Sequence, residues 1–319
     1  MKTLIKNCKI VNEGSTFIGS VLINDKIISE IFKSGESLPF AESVIEADGL
    51  VLFPGIIDDQ VHFREPGSTH KGDIATESAS AVLGGVTSFM EMPNTNPPAI
   101  TLKFLEDKYS IAEKSSFSNY SFYLGGTNDN LNEILSADPN KICGIKLFMG
   151  SSTGNMLVDN LSSLEAIFEN SRMIIAVHCE EENTVQYNLI KAKEKYGDNI
   201  PIHLHPIIRS REACIQSTSK AIELAKKYNS SLHILHISTK EEIELIKEAR
   251  IFNPKITGEV CVHYLVFDDS MYEDMGTKIK CNPAIKSKSD KEALIKAVKD
   301  GVIKVVATDH APHTKEEKN

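Results

Sequence analysis

The chain has 319 residues, 41% hydrophobic and 25% charged, with a formal net charge of −9. This is the composition of a folded globular protein, long enough for one large barrel domain and a small accessory one. The acidic balance argues against nucleic acid or an anionic membrane surface as partner, and no apolar run approaches the ~18 residues of a membrane span. The N-terminal Met1-Lys2-Thr3-Leu4-Ile5-Lys6 is too short an apolar stretch for a secretion signal. The six cysteines (Cys8, Cys143, Cys179, Cys214, Cys261 and Cys281) lack close spacing and read as reduced, packed thiols of a cytoplasmic protein.

Residues 1–50 predict short strands at Thr3–Val11, Thr16–Asn24, Lys26–Phe32 and Ser43–Ala47, with a turn at Asn24-Asp25. They predict a small β-sandwich-like domain, incomplete without a C-terminal segment. From Val51 the pattern becomes strand, loop, helix, repeated. The predicted strands are Ile56–Phe63, Val86–Met92, Tyr120–Leu124, Gly144–Phe148, Met173–His178, Leu232–His236, Ile256–Val262 and Ile303–Thr308. Strands separated by helical segments pair in parallel, so residues 51–319 predict an α/β fold, a (β/α)8 TIM-type barrel. Thr239-Lys240-Glu241-Glu242 fits a capping box, and Ser289 or Asp290 would cap the helix that stops at Gly301. The chain ends a few residues beyond the eighth strand, without the helix that would cover the first; this predicts a truncated form of a longer protein.

The most informative run is Pro54-Gly55-Ile56-Ile57-Asp58-Asp59-Gln60-Val61-His62-Phe63-Arg64-Glu65-Pro66-Gly67. Residues two apart share a strand face, which groups Asp58, Gln60, His62 and Arg64. Polar groups on the inner face of a buried strand usually serve a site. His62, His178, His236 and Asp309 all fall at C-terminal ends of predicted strands, where barrel enzymes build their sites. One such histidine is more often structural than a ligand, but the set on one rim points to a metal. Lys146 lies inside the apolar strand Gly144 to Gly150, where burial disfavours a charged amine. Cys179 should point away from the face of His178.

The first-strand run resembles the signature of dihydroorotases, in the amidohydrolase superfamily, with one departure: Gln60 stands where that family usually places its first metal-binding histidine. The resemblance implies that carboxylated Lys146 bridges one or two zinc ions. His62 and Asp309 would hold the inner ion, with Gln60 in a doubtful ligand position, and His178 and His236 the outer one. Manganese or cobalt is not excluded by these donors. The resemblance also implies that Arg64, Asn94 and His313 grip a substrate carboxylate and that Asn282 contacts the ring. Asp309 would move the proton as water opens the cyclic amide of dihydroorotate to N-carbamoyl-aspartate, a reversible step of pyrimidine biosynthesis. His233 reads as structural. The expected partner is a small anionic cyclic amide; a homo-oligomer is compatible with the sequence. The alternatives are a hydantoinase or allantoinase, which Arg64 disfavours, and a non-catalytic subunit supporting a transcarbamoylase, favoured only by Gln60.

Overall fold

Apolar residues near the N-terminus fold into strands β1 (Lys2–Asn12), β2 (Ser15–Asn24), β3 (Ile27–Lys33), β4 (Ser43–Glu46) and β5 (Val51–Leu52). β1 pairs antiparallel with β2, and β2 with β3, while β4 and β5 run parallel to β1. The turn expected at Asn24-Asp25 is made with Asp25 at a φ of +55°. Adjacent Val21 and Leu22 belong to different apolar clusters, one with Cys8 and Ile10 and one with Leu4 and Phe32. β2 is thus buried on both faces. The chain is seen here in a computed structural model that describes residues 1–150 and 156–318; Asn319, the end of the charged tail, lies outside them. It separates into two compact units, Met1–Ile56 and Ile57–Asn319. The division falls after residue 50 because β5 pairs with β1.

The second unit carries the eight predicted strands, as β6 (Ile56–Val61), β7 (Val86–Glu91), β8 (Asn119–Gly125), β9 (Gly144–Phe148), β10 (Ile175–His178), β11 (Leu232–Ile234), β12 (Ile256–Cys261) and β13 (Val305–Ala307). They lie in sequence order in one sheet, and neighbouring strands from β7 to β13 pair in parallel. A parallel bridge between Val61 and His310 closes the ends, with the His62 N–H donating to the His310 carbonyl at 2.7 Å. Asp58 seals the same seam, accepting from the Thr308 N–H at 3.1 Å and hydroxyl at 2.6 Å. The (β/α)8 barrel is therefore the fold. Most helices lie between strands, so one apolar core forms between strands and helices, from Ile74, Leu105 and Ile167 to Ile246 and Leu294.

Helix ends follow the sequence with one correction. The capping box at Thr239 and Glu242 is present. Ser287, not Ser289 or Asp290, caps Lys288–Lys299, and Asp290 is the reciprocal partner three residues on. No helix among the described residues is long and apolar enough to cross a membrane.

Candidate active site

Five of the strands deliver the candidate residues. His62 follows β6, His178 ends β10, His236 lies just beyond β11 and Asp309 just beyond β13, while Lys146 is in the middle of β9. These residues and Gln60 line one cavity of about 500 Å³. Arg64, Asn282 and His313 line it too. Asn94, beyond β7, is not among the described residues that do so.

Alternation along the first strand accounts for only part of this. It placed Asp58 and Arg64 with Gln60 and His62. Asp58 instead turns to Thr308, and the strand stops at Val61. Arg64 reaches the cavity from a left-handed turn with φ of +71°. His236 and Asp309 are also left-handed, at +38° and +48°. Non-glycine residues pay of order 1–3 kcal/mol for such backbone, which persists where surrounding structure holds it and clusters at functional sites. The turn after Arg64 needs Gly67: its φ is +91° and an added Cβ would sit 2.0 Å from the Asn96 carbonyl oxygen.

His178 and His236 form a buried, hydrogen-bonded pair. His178 Nε2 is 3.0 Å from Glu180 Oε2, and His178 Nδ1 is 3.0 Å from His236 Nε2. Burial alone would raise the Glu180 carboxyl, but the His178 hydrogen bond and the Arg209 charge outweigh it and hold it down to about 2. Glu180 is therefore an acceptor, so Nε2 of His178 carries the proton and Nδ1 presents a lone pair toward His236. Burial lowers the pKa of both imidazoles, keeping them neutral as metal ligands must be. Two nitrogens on one tetrahedral zinc lie about 3.3 Å apart, close to the spacing here. Sequence reasoning gave Glu180 no role; its signal was the His178-Cys179-Glu180 spacing, which returns Glu180 to the face of His178. Cys179 packs into the apolar core, as expected.

Across the cavity, Asp309 Oδ1 lies 3.1 Å from His62 Nε2 and 3.2 Å from Gln60 Nε2. Burial opposes ionisation of Asp309, yet the His62 hydrogen bond and charge bring it down to about 2. Lys146 is 1% exposed. The centre of the Phe148 ring lies 4.5 Å from its Nζ, and no acid among the described residues forms an ion pair with it. Burial pushes its amine down to about 7. Arg64 donates through Nε to the Pro312 carbonyl at 3.0 Å and sets Nη2 3.0 Å from His313 Nε2. Asn282 Oδ1 and His263 Nε2 are buried at this cavity without a hydrogen-bond partner among the described residues.

Below the rim, His233 Nδ1 meets Thr257 Oγ1 at 2.8 Å and its Nε2 meets Glu259 Oε2 at 3.1 Å. Glu259 Oε1 accepts the His236 N–H at 3.1 Å, tying this layer to the rim. Asp59, His233 and Glu259 bring three ligand atoms within 4.8 Å of one another, a second candidate metal cluster. Burial pushes both carboxyls up to about 8, with the Glu259 charge adding to it at Asp59 and the Asp309 charge at Glu259.

A parallel barrel with imidazoles, a carboxylate and a buried amine on its C-terminal rim defines a hydrolase of the amidohydrolase type. The family model described as Dihydro-orotase-like matches residues 49–242, and the chain belongs to that family of cyclic amidohydrolases. It is 32% identical to the dihydroorotase of Methanosphaera stadtmanae, over 99% of this chain and 71% of that protein. It is 30% identical to an allantoinase of Bacillus velezensis, over 97% of this chain and 68% of the relative. The L-hydantoinase (dihydropyrimidinase) of Arthrobacter aurescens superposes with a TM-score of 0.92 at 26% identity, covering 99% of this chain and 70% of that one.

Proposed function

We propose that this chain opens the ring amide of dihydroorotate, reversibly, to N-carbamoyl-aspartate, as a step in pyrimidine biosynthesis. The observation that carries the reading is Arg64, a guanidinium in the same cavity as His178, His236 and Lys146. A neutral ring needs no such group, whereas a carboxylate is well matched by its fork of N–H donors. This separates the reading from a hydantoinase or allantoinase, the other activities named among the relatives.

The donor set suits zinc: neutral imidazoles, a carboxylate and an amine that becomes a carboxylate. The neutral Nζ of Lys146 adds to carbon dioxide and loses a proton, giving an anionic carbamate. Lys146, His178 and His236 would hold the metal, with His62 and Asp309 facing them. A bound zinc ion supplies Lewis acidity that polarises the ring carbonyl and acidifies water. Asp309, ionised at neutral pH, takes the proton from the attacking water and returns it to the leaving ring nitrogen. Arg64 and His313 grip the substrate carboxylate, and Asn94 would contact it from beyond β7. The unpartnered Oδ1 of Asn282 accepts the ring N–H.

The test is turnover by the zinc-loaded chain of dihydroorotate, hydantoin and allantoin side by side. Hydrolysis of dihydroorotate alone is expected. Equal or better turnover of a neutral ring would favour the hydantoinase-type reading. Tight zinc binding with no turnover of any ring would favour a non-catalytic subunit.

A further inference from the structure

Resting on the reading of this cavity as a metal-dependent amidohydrolase site, we propose that Gln60 is not a metal ligand but a donor that positions Asp309. The chain then holds a single ion, on the Lys146, His178 and His236 side. Gln60 is 1% exposed and both ends of its amide are committed. Nε2 donates to Asp309 Oδ1 at 3.2 Å, and Oε1 accepts from the Cys261 thiol at 3.6 Å. These partners fix which end is which. A carboxylate only accepts, so the reversed amide would set oxygen against oxygen at Asp309. The end facing Asp309 is therefore an –NH2 group, which has no lone pair for a cation.

His62 adds to this. Its Nε2 lies 3.1 Å from the same Oδ1, so in this arrangement it is a second donor to Asp309. An ion between His62 and Asp309 would need that proton removed, the Gln60 amide turned over and its Cys261 contact given up. The opposite wall needs a smaller rearrangement: the proton between His178 Nδ1 and His236 Nε2 moves to His236 Nδ1, which has no hydrogen-bond partner among the described residues. His178 Nδ1 presents a lone pair, His236 Nε2 is 3.0 Å from it, and the Lys146 amine has no ion-pair partner among the described residues. Two imidazoles and a carbamate leave one open position, the usual count for a catalytic zinc. Gln60 and His62 both act on Oδ1. Among the described residues no donor reaches Oδ2, which stays available for the proton.

The test counts ions in the full chain, loaded with zinc for elemental analysis and with cobalt for electron paramagnetic resonance. One zinc per chain and the spectrum of an isolated high-spin cobalt ion are expected. Gln60→His supplies the missing imidazole and should bind two ions with exchange-coupled spectra. Gln60→Leu removes the donor and should keep its one ion while kcat falls at unchanged KM. Two coupled ions in the unaltered chain, or loss of the ion in Gln60→Leu, would overturn the proposal. If Gln60→His does not fold, those two measurements decide alone. An ion lodged at Asp59, His233 and Glu259 would be lost with Asp59→Val, whereas the rim ion would stay. A two-ion chain that turns over dihydroorotate overturns only this inference; a chain that binds no ion removes the functional reading as well.

Discussion

Replacing Arg64 by methionine removes the guanidinium that lines the cavity and faces the expected substrate carboxylate, and its cost can be set out from the structure. Arg64 is 8% exposed, so its contacts are largely screened from water. A hydrogen bond to a charged group contributes about 1.5–3 kcal/mol. That corresponds to roughly a 10- to 150-fold fall in kcat/KM for dihydroorotate. The substitution also frees the Pro312 carbonyl, which accepts from Nε at 3.0 Å. That loss is common to every substrate, so the ratio of kcat/KM for dihydroorotate to that for hydantoin isolates the carboxylate contact. Methionine is unbranched at Cβ, as arginine is, and so adds no new strain at the left-handed position. Steady-state kinetics on both rings gives the answer. An unchanged ratio, even with both activities reduced, would mean that Arg64 only braces the turn and that the substrate carboxylate is held elsewhere.

Three further outcomes are expected. Lys146→Ala should lose its metal and activity together, with partial recovery in short-chain carboxylates that can occupy the carbamate position; no recovery at any concentration would count against carboxylation. Because burial depresses the Lys146 amine to about 7, the ammonium dominates below that pH and the reactive neutral amine above it. Reconstitution of the metal-free chain with zinc and bicarbonate should therefore rise as pH increases through about 7, and a flat profile would contradict the assignment. Lys108→Met should destabilise the fold by about 3–5 kcal/mol, read as a lower urea midpoint, because it strands a buried charge. Lys108 pairs with Glu91 at 2.8 Å with both side chains 0% exposed, and Glu91 in turn accepts the Phe63 N–H at 3.1 Å. A midpoint unchanged within error would show that Glu91 takes up a proton at little cost.

Local pattern made much of this protein legible. The repeat of strand, loop and helix defined the barrel because parallel strands need crossovers, and the strand-end positions of His62, His178, His236 and Asp309 defined its rim. Lys146 stood out as an amine in an apolar strand. The missed features depend on contacts between segments far apart in the chain. Glu180 acquires its role from His178 and from Arg209, 29 residues on. Asp58 looks like a site residue until Thr308, 250 positions away, takes both its oxygens. Arg64 arrives by a left-handed turn that a period of two cannot express. Gln60 is the clearest case. Its sequence position says ligand, and only the packing of Cys261 on one side and Asp309 on the other turns its donor end toward the carboxylate. Backbone periodicity is set by neighbours in the chain and can be read from them. The direction of a buried amide, the tautomer of an imidazole and the ionisation of a carboxyl are set by what tertiary folding places beside them.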